Sequence, residues 1–204
     1  MSENYDKKKM QEVSILHTVA RLGIQHAVQG LSEMVGEELV TTEPELFSVP
    51  ILKIPEFFGG AEQEAVGIYL RASGEASGQF MMILTFERAL AFIDMLMQEP
   101  PGTTQELDDM GRSALAEMGN LTGAFFLNAV ANLTGLEARP SEPAVMHDMV
   151  GAILNIIVAA TAEQLDEVFV IQTTIIHEDH QVQANYWYIP DEKTMQLLIE
   201  KYNN

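Results

Sequence analysis

The sequence predicts a mixed α/β fold of the α+β kind: one pseudo-two-fold domain over residues 1–204, with a central, largely antiparallel sheet flanked by long helices. Three observations predict it. Two long segments place apolar residues every three or four positions. Each half then has two short strand-like runs around a polar turn. An offset of 99 residues superposes Ser14 on Ser113, Leu16 on Leu115, Leu22 on Leu121, Gly36 on Gly135 and Pro44 on Pro143 without a gap. The offset divides the chain into two diverged halves, about 8–103 and 104–204. A two-stranded ribbon alone is marginal in water, so the halves are expected to share one sheet and one core.

From about Lys8 to Val35, the positions Val13, Leu16, Ala20, Gly23, Ala27, Leu31 and Val35 keep helical spacing and predict a long amphipathic helix. Glu43 to Gly60 is rich in Pro and Gly and reads as loop with one short strand. Strands are expected from Ala65 to Arg71 and from Gln79 to Thr85, around the turn GEASG. Phe86 to Met97 returns to helical spacing, and EPPGTT ends that helix because proline cannot continue its hydrogen-bond ladder. The second half repeats the order. A helix is expected from about Thr104 to Leu133 and a second, apolar one from Ala144 to Ala160. Strands follow at Val168 to Ile176 and Val182 to Ile189, then a last helix from Asp191 to Tyr202, with Asp191 as its cap.

Composition narrows the function. The hydrophobic fraction of 47% and charged fraction of 20% belong to an ordinary globular chain. Thirty acidic residues against 11 Lys and Arg give a formal charge of -19, which repels phosphate backbones and anionic lipid surfaces; neither nucleic acid nor a membrane is an expected partner. Cysteine is absent, and with it disulfides, thiolate metal sites and a cysteine nucleophile. The polar start MSENYDKKKMQE lacks the apolar run of a secretory signal, and no uncharged apolar run reaches the length of a bilayer span, so a cytoplasmic protein is expected. No GxxxxGK loop, GxSxG elbow or HExxH helix is present.

One stretch, SALAEMGNLTGAFFLNAV from Ser113 to Val130, demands a chemical reading. On a helix Ser113, Glu117, Asn120 and Ala124 form one longitudinal row, while Leu115, Met118, Thr122 and Phe125 suit the core. Gly119 and Gly123 each cost about 1 kcal/mol against alanine in a helix interior, so they need a reason; clearing side chains beside Glu117 and Asn120, so that a partner can approach, is one. A carboxylate can accept a charge-assisted bond from a partner's Lys or Arg. A carboxamide offers acceptor and donor together, and can hold a water at one end while touching a phosphoryl oxygen with the other. That is the task of a water-positioning group in phosphoryl transfer.

These residues resemble a known family. Ser113, Glu117, Asn120 and Pro143 match the pattern Asp or Ser, three residues, Glu, two residues, Asn, twenty-two residues, Pro of the CheC, CheX and FliY chemotaxis phosphatases. The likeness continues through GLEARPSEP and HDM, and the length is nearest to CheC. The resemblance implies a CheC-like fold and a phosphatase that hydrolyses the aspartyl-phosphate of a CheY-like response regulator. Glu117 would pair with a lysine of the receiver and Asn120 would orient the attacking water, with Ser113, Gly119, Gly123 and Pro143 in support. No cofactor is expected on this chain; the Mg2+ of the reaction belongs to the phosphorylated receiver. CheC members carry the signature twice, but here its partners at the 99-residue offset are Ser14, Thr18, Arg21 and Pro44. Thr18 cannot form the ionic contact and Arg21 has no acceptor with which to orient a water, so the first helix is expected to be catalytically silent. The family suggests two further partners, CheD, which stimulates some CheC members, and a second copy of the chain, as in CheX homodimers. The alternative function is a noncatalytic adaptor that binds a receiver or a flagellar switch component.

Other signals carry less. HEDH, His177 to His180, offers imidazole and carboxylate groups, but a zinc site draws ligands from more than one position and a hairpin turn favours polar residues anyway; no metal ligand is assigned. His17, His26 and His147 show no ligand spacing. Trp187 in NYWYIP reads as a core residue of a strand, and the dozen methionines as packing.

Overall fold

The computed structural model describes residues 2–161, 167–177 and 180–202. Helix α1, Ser2–Val35, buries Ile15, Val19, Ile24, Val28 and Leu31 on one face and stops at Gly36, whose φ of 78° suits a residue without Cβ. Strands β1 (Val40–Thr41) and β2 (Glu45–Pro50) follow, then a 3-10 turn and the short helix α2 (Ile54–Phe57). Strands β3 (Glu64–Gly74) and β4 (Gly78–Thr85) form a hairpin, and α3 (Phe86–Met97) closes the half. The second half runs α4 (Asp109–Thr134), β5 (Ala138–Pro140), β6 (Ala144–Met149), α5 (Val150–Thr161), β7 (Glu167–His177), β8 (His180–Pro190) and α6 (Glu192–Tyr202).

Three expectations change. The segment from Ala144 to Ala160 is not one apolar helix: its first six residues are strand β6, and only the remainder coils into α5. The stretch from Glu43 to Gly60 holds β2 and α2 at the matching places. Short apolar runs fit either period, and hydrogen bonds to a distant strand decide them. Helix α4 also starts later than Thr104, because Asp108 caps it by accepting from the Gly111 amide at 2.7 Å. The expected cap of α6 is present, with the Thr194 amide donating to Asp191 Oδ1 at 2.7 Å.

The strands form one eight-stranded sheet along the path β1-β7-β8-β4-β3-β5, with β2 also paired to β7 and β6 to β3. The pairing crosses between halves. Glu45 of β2 pairs with Gln172 and Pro50 with Glu167; correspondingly, Ala144 of β6 pairs with Tyr69 and Met149 with Glu64. Val40 pairs with Ile176 as Arg139 pairs with Ser73. Thus strands related by the 99-residue offset sit in corresponding registers on β7 and β3, and each half's outer strands close the other half's hairpin. Strands β4 and β8 meet in the middle, near the pair Met82 and Tyr186.

One face of the sheet carries α1, α4, α3 and α6 over a core that includes Val66, Ile68, Leu70, Phe80, Met82, Tyr186 and Phe126. The other face buries Met81, Ile83, Val170 and Trp187 under α2 and α5, with the rings of Trp187 and Phe58 5.5 Å apart. Helices α1 and α4 cross closely: a Cβ on Gly23 would lie 2.3 Å from the Phe126 ring, and one on Gly30 2.0 Å from the Phe125 ring. Phe125, expected in the core, is half-buried in this crossing.

The approach to α4 is fixed by a buried carboxylate. Asp94 of α3 is 0% exposed and accepts from the amides of Gly102, Thr103 and Thr104 at 2.7, 3.2 and 2.8 Å, so it gathers the link between the halves. Burial pushes its carboxyl up, but the Thr104 side chain and the three amides outweigh that and hold it below the usual 3.8. Asp94→Ala strands three amides and is expected to cost about 1–3 kcal/mol in urea unfolding. Because the folded pKa lies below the unfolded one, the carboxylate's stabilisation is complete above pH 3.8 and is lost as pH falls through the folded value. Asp94→Asn should therefore flatten the acid limb of stability against pH; an acid limb identical to wild type refutes this role.

Candidate functional site

Helix α4 turns Leu115, Met118, Gly119 and Thr122 inward and leaves Ser113 and Glu117 exposed. Asn120 is half-buried, one turn on from Glu117 along the outward row. The Ser113 hydroxyl donates to the Asp109 carbonyl at 2.9 Å, a bond internal to the helix. Glu117 and Asn120 make no side-chain hydrogen bond or ion pair among the described residues, so both are available to a partner. Pro143, half-buried, stands next to the ridge: a Cβ on Gly119 would lie 3.7 Å from its Cβ. The proline leads into strand β6 and not, as expected, into a helix.

The glycines have a different neighbour from the one expected. Gly119 and Gly123 are buried on the sheet side of α4, and a Cβ on them would lie 2.4 Å from Ile68 Cγ2 and 3.3 Å from Leu70 Cδ1. They seat the helix on β3; they do not clear its outer face. The helical period explains this, since positions 119 and 123 share the row of 115 and 126. The pair Glu117 and Asn120 thus stands on a helix whose back is packed into the core, which fixes the direction in which both side chains project.

The matching positions of the first half occupy the matching row of α1. Ser14 is exposed, Thr18 and Arg21 are half-buried, and Pro44 is buried just before β2. The Thr18 hydroxyl donates to the Ser14 carbonyl at 3.0 Å. Arg21 has no carboxylate partner among the described residues.

Sequence reasoning passed over His147. It lies on β6, opposite Val66 of β3, with its ring stacked on Phe86 at 4.5 Å and Nε2 2.7 Å from Glu64 Oε1. The strand character of β6 was its missing signal, because pairing with β3 is what brings position 147 beside Val66 and Glu64. Of the HEDH turn, His177 is buried with Nε2 2.5 Å from Glu37 Oε2; Glu178, Asp179 and the His180 side chain lie outside the described residues. Among the described residues no group of three or more His, Asp or Glu is placed to hold a metal ion, and no helix is long and apolar enough to cross a membrane.

No family model matches the chain. It is 29% identical over 195 residues to the CheY-P phosphatase CheC of Bacillus subtilis strain 168, which spans 94% of this chain and 93% of that protein. FliY of Thermotoga maritima shares the fold with a TM-score of 0.74 at 15% identity, over 94% of this chain and 96% of that one. A CheX-CheY-BeF3-Mg+2 complex from Borrelia burgdorferi contains a chain matched with a TM-score of 0.53 at 17% identity, over 83% of this chain and 96% of that one.

The two glycines on α4 make separable predictions. Gly119→Ala forces a Cβ into a β-branched side chain, and the overpacking, about 1–3 kcal/mol, should exceed the roughly 1 kcal/mol gained in helix propensity. Gly123→Ala meets the movable end of Leu70 and should be near neutral. Denaturant unfolding of both variants checks the difference; equal stability would mean that α4 does not rest on Ile68.

Proposed function

We propose that the chain belongs to the CheC, CheX and FliY superfamily of chemotaxis phosphatases and hydrolyses the aspartyl-phosphate of a CheY-like response regulator at the α4 ridge; its likeness to a CheC over 94% of its length and the fold it shares with FliY support this. The observation that carries the reading is the placement of Glu117 and Asn120, one turn apart, outward and unpaired among the described residues, on a helix seated against the sheet. Glu117 anchors the receiver through a lysine ammonium. Asn120 enters the acyl-phosphate pocket, where its carbonyl accepts a hydrogen bond from a water and its NH2 donates to a phosphoryl oxygen. The water oxygen bonds to phosphorus in line with the aspartyl oxygen, the phosphorus–aspartyl bond breaks, aspartate leaves as carboxylate, and the water's protons end on the phosphate and solvent. The receiver's own Mg2+ neutralises the phosphoryl oxygens; this chain supplies alignment.

We infer further that residues 1–204 form one domain of two diverged copies, about 8–103 and 104–204. The exchange of outer strands between halves supports this, since neither half can complete its sheet alone. A second reading, a noncatalytic adaptor for a receiver or a flagellar switch component, is favoured by the first half, which keeps the ridge with Thr18 and Arg21 in place of the reactive pair.

Phosphoryl loss from a phosphorylated CheY-like receiver with Mg2+ separates the two. Wild type should accelerate it, Asn120→Ala should lower the rate by ~100-fold with binding retained, and Glu117→Ala should weaken binding. Binding without acceleration by wild type would establish the adaptor in place of the phosphatase.

A further inference from the structure

The pseudo-two-fold gives the silent ridge of α1 the same frame as the α4 ridge. Ser14, Thr18 and Arg21 stand on α1 as Ser113, Glu117 and Asn120 stand on α4, and each row is followed by a proline that opens a strand in corresponding register, Pro44 before β2 and Pro143 before β6. A surface shaped to fit one ridge therefore meets a similar backbone at the other. What differs is charge. From Val13 to Ser32 the chain has no aspartate or glutamate, although its formal charge is -19, and the same stretch carries His17, Arg21 and His26. Arg21, at the place of the water-positioning amide, has no carboxylate partner among the described residues, while the neighbouring Thr18 hydroxyl is turned back to the Ser14 carbonyl.

A guanidinium at that place has a definite chemistry. It has five donors and no acceptor, so it grips phosphoryl oxygens in a fork but cannot take a hydrogen bond from a water and aim it. We propose that the α1 ridge is a second docking site for the phosphorylated receiver, one at which Arg21 holds the phosphoryl group without hydrolysing it. The partner follows from the chemistry of this face: an acidic pocket that presents a phosphoryl group is repelled by most of this protein's surface but not by the stretch Val13–Ser32, which has no carboxylate and one arginine. Held there, a phosphorylated receiver keeps its phosphoryl group next to a chain that removes it elsewhere. The inference rests on the phosphatase reading for the identity of the partner, and on Arg21 for the rest.

The test uses the receiver that wild type dephosphorylates, activated with beryllofluoride and Mg2+ as a mimic that is not turned over. In the full-length Glu117→Ala/Asn120→Ala variant, calorimetric binding of the activated receiver should persist, should require beryllofluoride, and should weaken at least tenfold when Arg21→Gln is added. No residual binding in the double variant, binding indifferent to beryllofluoride, or residual binding indifferent to Arg21→Gln would each overturn the second site while leaving hydrolysis at α4 standing. A wild type that binds the receiver but does not hydrolyse its aspartyl-phosphate would instead overturn the phosphatase reading, so the two failures are told apart.

Discussion

The constraint on which this molecule depends is the closure of sheet edges. The hairpins β3–β4 and β7–β8 pair with each other through β4 and β8, and this leaves the outer edges of β3 and β7 with unpaired backbone groups. Each is closed by strands from the other half, β5 and β6 on β3 and β1 and β2 on β7. The exchange ties residues about a hundred positions apart into every ladder. It also forces both long helices onto the same face, because each outer strand pair follows directly from the end of its helix.

The helix layer inherits this arrangement and sharpens it. Gly23 and Gly30 let the phenylalanines of α4 lie on the backbone of α1, and Gly119 lets α4 settle on Ile68. The ends are pinned as well. Asp108 caps the start of α4, Gly135 its finish at a φ of 70°, and Gln98 reaches from the end of α3 to the Val35 carbonyl at the end of α1, 2.6 Å away. Asp94 secures the link between halves through three amides. A carboxylate and a carboxamide on such a helix have few directions open to them, which is what a reaction limited by alignment requires.

The frame also separates shape from chemistry. One helix presents a carboxylate and an amide, the other a hydroxyl turned back on its own backbone and a guanidinium, yet their backbones and flanking prolines correspond. Two differences at the same pair of places replace an acceptor and a donor-acceptor pair with a hydroxyl and a donor-only guanidinium. Neither change touches the core, because positions 18, 21, 117 and 120 all lie on outward rows.

By itself the sequence determined the features that arise within a few turns of helix. The apolar period marked α1, α3, α4 and α6; the spacing of Ser113, Glu117, Asn120 and Pro143 marked the ridge; and the prolines of EPPGTT marked the end of α3. These are local because a helix satisfies its own hydrogen bonds. Tertiary structure alone decided that 144–149 is a strand and not the start of a helix, that the halves exchange those strands, that the residues under Gly119 and Gly123 are Ile68 and Leu70, and that His147 stacks on Phe86. Each of these depends on a partner far along the chain, since a short strand or a bare backbone has no preference strong enough to place itself until the surface it pairs with is present.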